Sequence, residues 1–223
     1  MKVLLINGSP HADGCTFTAL SEIAKVLDAE GIETQIFHIG KSPVRGCIAC
    51  GACATLGKCA FDDDPANKMM QLMREADGII IGSPVYYAGP NGALCALLDR
   101  AFYAGGSFAC KPAAAVISAR RSGTTAAFDR LNKYFTINRM PVVSSQYWNG
   151  VHGFTPDDVR KDEEGLQTMR TLGYNMAWML KSIAAGNQPA PTVEPRVATH
   201  FINEEKVHRV QQIHPRYHER SIL

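Results

Sequence analysis

Neither sign of charge is in excess in this chain. Its 23 Lys and Arg stand against 21 Asp and Glu, a net charge of +2. That balance excludes a nucleic-acid binder built on a basic stripe. No segment approaches the about 18 consecutive apolar residues of a membrane span. The apolar stretch near the N-terminus runs only from Val3 to Ile6, too short for the core of a signal peptide. There is no internal repeat and no low-complexity segment, and charged residues are held to 20% against 46% hydrophobic, which excludes a disordered or collagen-like chain. At 223 residues the prior is one large domain with an appendage, divided here as 1–186 and a tail at 187–223.

What the chain does have is cysteine. There are seven, and Cys47, Cys50, Cys53 and Cys59 fall within thirteen residues. An odd total with local crowding fits a disulfide framework poorly. With no export signal in view, the expectation is a soluble cytoplasmic protein in a reducing compartment, where crowded thiols point to metal or redox chemistry.

Polar alternation is scarce as well. Short β-rich runs occur at Val3–Ile6, Thr34–Ile39, Gly78–Gly82, Ala113–Ser118 and Pro141–Ser144, and three of them are almost wholly apolar. Strands covered on both faces read this way, as in parallel sheets. Between them lie helical spacings at Cys15–Glu30, Ala66–Ala76, Asn91–Tyr103 and Thr124–Ile137, and a longer one at Asp157–Ala185. The alternation predicts an α/β fold: a doubly wound, five-stranded parallel sheet of flavodoxin-like order 2-1-3-4-5. Ligands of such sheets bind beyond the carboxyl ends of the strands, so three loops matter.

The first, Asn7 to Thr16, runs from a buried strand into a helix N-terminus, a place suited to phosphate. Ser9 and Thr16 add hydroxyls and His11 a partial charge, although the loop carries neither G-x-G-x-x-G nor G-K-[ST]. The second, Gly82 to Gly92, is stiffened by Pro84 and Pro90 and offers the flat rings of Tyr86 and Tyr87. The third, Ser118 to Thr125, carries Arg120 and Arg121, which need water or an anion.

Together, G-S-P-x-x-x-G-x-T after strand one, S-P-V-Y-x-x-x-x-x-x-L after strand three and a Ser/Gly/Thr loop after strand four resemble the NADPH-dependent FMN reductase family over about residues 1–150. The resemblance implies FMN as cofactor. It implies phosphate contacts from Ser9, His11, Cys15, Thr16 and Phe17, and ring contacts from Pro84, Val85, Tyr86 and Tyr87. On the pyrimidine side it implies the loop Ser118 to Thr124, with Ser118, Gly123 and Thr124 as contacts. His11 and Cys15 depart from the family's usual Arg and Asn. Arg120 or Arg121 is expected to stabilise the reduced ring's negative charge, as the catalytic contribution. The implied activity passes electrons from NAD(P)H to a quinone, a nitro or azo compound or another small acceptor, in a homodimer or homotetramer. No acid–base pair is needed, because the cofactor carries the chemistry. A non-enzymatic carrier of the flavodoxin kind is the rival, and flavodoxins are typically far more acidic.

Cys47-x2-Cys50-x2-Cys53-x5-Cys59 sits in an insert spanning 40–64. The spacing suits a [4Fe–4S] cluster, which needs thiolates converging from a short wrapping loop. Structural zinc and uncommitted redox thiols are the other two readings, zinc sites more often using two separated C-x2-C pairs. The spacing also resembles the iron–sulfur flavoproteins of the same fold family, which implies electrons arriving from a ferredoxin through the cluster to FMN. In the C-terminal third, the loop Ser145 to Gly153 is a candidate lid or a packing segment. The tail histidines His208, His214 and His218 read as a solvated stretch, since Pro215 interrupts helical register.

Overall fold

The computed structural model describes residues 1–186, 188–195 and 197. The tail histidines lie outside the described residues. The strands are β1 (Lys2–Asn7), β2 (Glu33–His38), β3 (Gly78–Tyr86), β4 (Gly89–Pro90), β5 (Ala113–Ala119) and β6 (Gly150–His152). The helices are α1 (Cys15–Ala29), α2 (Cys53–Leu56), α3 (Ala66–Glu75), α4 (Gly92–Ala104), α5 (Thr124–Ile137), α6 (Pro156–Lys161) and α7 (Glu163–Gly186).

Five strands run parallel in the order β2-β1-β3-β5-β6, while β4 folds back antiparallel on the end of β3. With that hairpin set aside, this is the expected 2-1-3-4-5 order. The apolar runs of the central strands sort by their period of two. Leu4, Ile6, Ile79, Ile81, Ala115 and Ile117 face one core, which packs on α3, α4 and α5. Val3, Leu5, Ile80, Ala114 and Val116 face the other, which packs on α1 and α7. Two covered faces leave no room for polar alternation. Among the described residues no helix is long and apolar enough to cross a membrane.

Three expectations are corrected. Pro141–Ser144 is not the fifth strand. It makes a single bridge, Val142 opposite Ala113, with Ala113 N–H donating to the Pro141 carbonyl and Val143 N–H to that of Ala113. The chain then leaves the sheet and returns as β6 beside Ile117, Ser118 and Ala119. The Asn149 side chain bridges the gap by donating to the Ala115 carbonyl at 3.0 Å. The second loop is partly strand: β3 continues through Ser83, Pro84, Val85 and Tyr86 into the hairpin with β4.

The single helix expected over Asp157–Ala185 is two helices broken at Asp162. That carboxylate accepts from Gly165 N–H at 2.9 Å and from His152 N–H at 2.6 Å, so it caps the new helix and ties it to β6. The apolar stripe of the expected helix runs from Leu166 to Leu180, wholly within α7, and the break before it is written in this local bonding.

Candidate functional site

The three loops meet at the carboxyl ends of β1, β3 and β5. Gly8 N–H donates to the Gly82 carbonyl at 2.8 Å, and Asn91 Nδ2 donates to the Gly8 carbonyl at 2.7 Å. A Cβ at Gly8 would stand 2.6 Å from that Gly82 oxygen, so only glycine permits the approach. Thr16 Oγ1 and Ser118 Oγ are 2.8 Å apart in a buried hydrogen bond that joins loops one and three. Gly123, at φ +90°, lies against Val85, and a Cβ there would meet Val85 Cγ1 at 2.9 Å.

The phosphate loop is built from within. Asn7, fully buried at the end of β1, accepts from Ser9 N–H and donates to the carbonyls of His11 and Ala12. The Ser9 hydroxyl accepts from His11 N–H at 3.1 Å. The His38 ring shares a 2.8 Å hydrogen bond with the Ser9 carbonyl, pinning the loop to the end of β2. Gly14, the cap residue of α1, offers no side chain to the first-turn N–H groups, and that turn carries no acidic residue. An exposed cradle of helix N–H groups with hydroxyls nearby is the donor set an anion needs. Ser9 and Thr16 are buried there, Cys15 and Phe17 are half-buried, and the His11 side chain is exposed.

Cys15 opens α1. A helix N-terminus lowers a thiol pKa, but here burial outweighs it, with the nearby Asp158 carboxylate adding to the effect, and the thiol is pushed up. Its Sγ lies 3.8 Å from the Gly153 carbonyl, so it reads as a packed neutral thiol.

Beyond the phosphate loop, Pro84 and Val85 are half-buried, Tyr86 is exposed, and Tyr87 stands fully in solvent at φ +57° on the hairpin tip. Partial desolvation nonetheless raises the Tyr86 pKa. Arg120 and Arg121 are both exposed at the end of β5, and Gly123 and Thr124 begin α5. Between that helix and α7, a cavity of about 120 Å³ is lined by Thr124, Phe128, Trp148, His152 and Glu164 among others.

Asn7, His38 and Asn91 were not among the residues singled out from the sequence. All three bond main-chain atoms of the loops, a task any polar residue at a strand or helix end can take on. Only the strand-end position of Asn7 and His38 could have pointed to them.

The insert wraps the far part of α4. Cys47, Cys50, Cys53 and Cys59 all line one small cavity of about 30 Å³, closed beneath by Arg100 and Tyr103. No disulfide joins any of the seven cysteines. Among the described residues no group of three His, Cys, Asp or Glu side chains is placed to hold a single metal ion. A cube-shaped cluster spaces its thiolates wider than the tetrahedron around one zinc. What the insert offers is a donor set of four thiols around one cavity, on backbone turned by positive-φ glycines at Gly51 (φ +74°) and Gly57 (φ +66°), and thiolates are the ligand type of such clusters. Asp64, with its carboxylate buried beside Arg100, is held below the usual aspartate pKa. Burial pushes it up, but hydrogen bonds from Arg100 and from the N–H groups of Ala66 and Arg45 outweigh that.

A parallel sheet of this order, with three converging loops at its carboxyl edge, defines a flavodoxin-like protein. A flavodoxin from the domain Archaea superimposes with a TM-score of 0.56 at 16% identity, over 81% of this chain and 99% of that one. The chain belongs to the NADPH-dependent FMN reductase family, whose model residues 1–155 match. It is 34% identical to an iron–sulfur flavoprotein of Methanocaldococcus jannaschii, over 82% of this chain and 99% of the relative. It is 30% identical to an iron–sulfur flavoprotein of Methanosarcina thermophila, over 82% and 97%.

Proposed function

We propose that this chain is a two-centre flavin oxidoreductase of the cytoplasm, taking electrons from a ferredoxin-type carrier through a [4Fe–4S] cluster to FMN and on to a small acceptor. The observation that carries this reading is the lining of one cavity by all four insert cysteines, in a chain akin to iron–sulfur flavoproteins. FMN, when bound, supplies hydride acceptance at N5 and release of electrons singly or in pairs. The chain's own part is positional. The first-turn N–H groups of α1, with Ser9, Thr16 and Phe17, would hold the phosphate, His11 and Cys15 flanking it. Pro84, Val85, Tyr86 and Tyr87 would meet one edge of the ring, and Ser118, Gly123 and Thr124 its pyrimidine side. Arg120 and Arg121 would balance negative charge near N1.

A second reading, with NAD(P)H as donor and a quinone or nitro compound as acceptor, is favoured by the family's description. Either way, assembly as a homodimer or homotetramer is part of the proposal.

Anaerobic purification tests it. The expected protein is brown-yellow, with one FMN per chain, iron and sulfide in equal amounts and absorbance near 400 nm beyond that of flavin. A yellow protein without iron that oxidises NAD(P)H would leave the second reading, and a colourless one would overturn both.

A further inference from the structure

Arg100 is the largest fully buried side chain among the described residues, 2% exposed, and it lies under the insert and away from the loops at the sheet edge. Each of its three nitrogens is engaged. Nε donates to Cys59 Sγ at 3.2 Å, and Nη1 donates to the Arg45 carbonyl at 3.0 Å and pairs with the Asp64 carboxylate. Nη2 donates to the Phe61 carbonyl at 3.2 Å. A single side chain on α4 thus ties together the two ends of the segment that carries the cysteines, at Arg45 and at Cys59 to Asp64.

Cys59 is correspondingly fixed. Its N–H donates to Asn67 Oδ1 at 2.9 Å, and its carbonyl accepts from Asn67 Nδ2 at 3.0 Å. It is the buried cysteine of the four, whereas Cys47 and Cys50 are exposed. A guanidinium is an expensive group to bury, and a lysine in its place could not make this fan of bonds. Asp64 offsets its charge but leaves the Nε–H aimed at sulfur. The neighbouring Arg45 does not share the role: its guanidinium pairs with Asp63 at 2.7 Å and covers the Phe61 ring, out on the surface.

We infer that Arg100 is a positioning residue for the cluster: it fixes Cys59 as the anchored ligand and, by donating a cationic N–H to that sulfur, raises the cluster's reduction potential. Reduction adds negative charge that spreads onto the sulfur ligands, and a donor with positive charge favours the more negative form. The inference rests on the cluster reading above and deepens it.

The test uses the full chain, reconstituted anaerobically with iron and sulfide and holding FMN. The variants are Arg100→Gln, which breaks the fork, and the pair Arg100→Gln with Asp64→Asn, which avoids a stranded buried carboxylate. Arg100→Lys keeps the charge and loses the geometry. The readouts are iron and sulfide per chain, the cluster midpoint by low-temperature EPR titration, and the FMN midpoint as an internal control.

The double variant is expected to load less iron and sulfide than wild type and, in the fraction that loads, to shift the cluster midpoint negative, lowering the reduced-to-oxidised ratio at a set potential on the order of tenfold. That is 59 mV for a one-electron couple. The FMN midpoint should stay in place. Arg100→Lys is expected to recover loading better than potential. Should the single variant fail to fold, the double variant carries the measurement, and loss of loading in both with FMN retained supports the anchoring role. Wild-type loading with an unchanged midpoint and unchanged loading in the double variant overturns the inference and leaves the cluster reading standing. Wild type that takes up no iron or sulfide overturns the cluster reading, and the inference with it.

Discussion

Asp64 shows how much of the insert depends on individual ionised groups. Its carboxylate is 2% exposed and accepts from Arg100 and from two main-chain N–H groups. Because its pKa is lowered on folding, the unfolded chain binds a proton more readily, and stability rises with pH through this range. The contribution is complete above the ordinary aspartate pKa of about 4 and is lost as pH falls through the lower folded value. An Asp64→Asn variant should therefore be less stable than wild type by about 3 kcal/mol above pH 5, the cost of breaking a buried pair. The gap should close in more acidic solution. Thermal unfolding of both proteins between pH 7 and pH 3 checks this, and a gap that does not vary with pH contradicts it. The cation partnering this carboxylate is one the sequence hid. The cysteines declare themselves by spacing, but Arg100 sits among Leu94, Leu97 and Leu98 as one basic residue at the end of an apolar stripe. Nothing in that pattern says it points inward, because burial of a cation is decided by partners some 40 residues away.

At the level of elements, α1, α3, α4 and α5 lie within a residue or so of where apolar periodicity puts them, and four of the parallel strands begin within one residue of the expected start. Both follow from covered faces, a signal that local sequence carries in full. The edge of the sheet was less legible, since an edge strand needs only one covered face and a few ladder bonds. Pro141–Ser144 has strand-like composition, yet the longer pairing belongs to Gly150–His152, and the Asn149 amide fills the space between. The converging loops were legible because glycine, proline and hydroxyl residues follow apolar strands. The asparagines that lace those loops together were not. The division of the last helical stretch rests on Asp162, which caps α7 and holds His152 N–H. Asp162→Ala should cost about 1–2 kcal/mol, lowering the melting temperature by about 2–8 °C in a chain of this size. FMN content should be unchanged, since the phosphate loop lies on β1 and α1. Calorimetry with flavin quantification checks both halves of the statement.

For the whole molecule, the distribution of exposed aromatic rings matters most. Tyr147, Trp148 and Phe154 stand open around β6, and Tyr174 and Trp178 lie a turn apart on α7. Exposed large rings in a chain this well packed favour self-association. The full chain at micromolar concentration is expected to scatter light as two or four copies, and a monomer mass would remove the oligomer from the proposal. The two candidate centres, meanwhile, share one piece of scaffold. Asn91 ends the loop beside the ring site and caps α4 by accepting from Ala93 N–H, and Arg100 lies on that same helix. Eight residues at the helical rise separate Gly92 from Arg100, about 12 Å. The spacing between flavin loop and cysteine pocket is therefore set by a strut and not by a hinge. On the two-centre reading proposed above, substrates and donors would come and go at either end, while the gap an electron would cross within one chain keeps a fixed length.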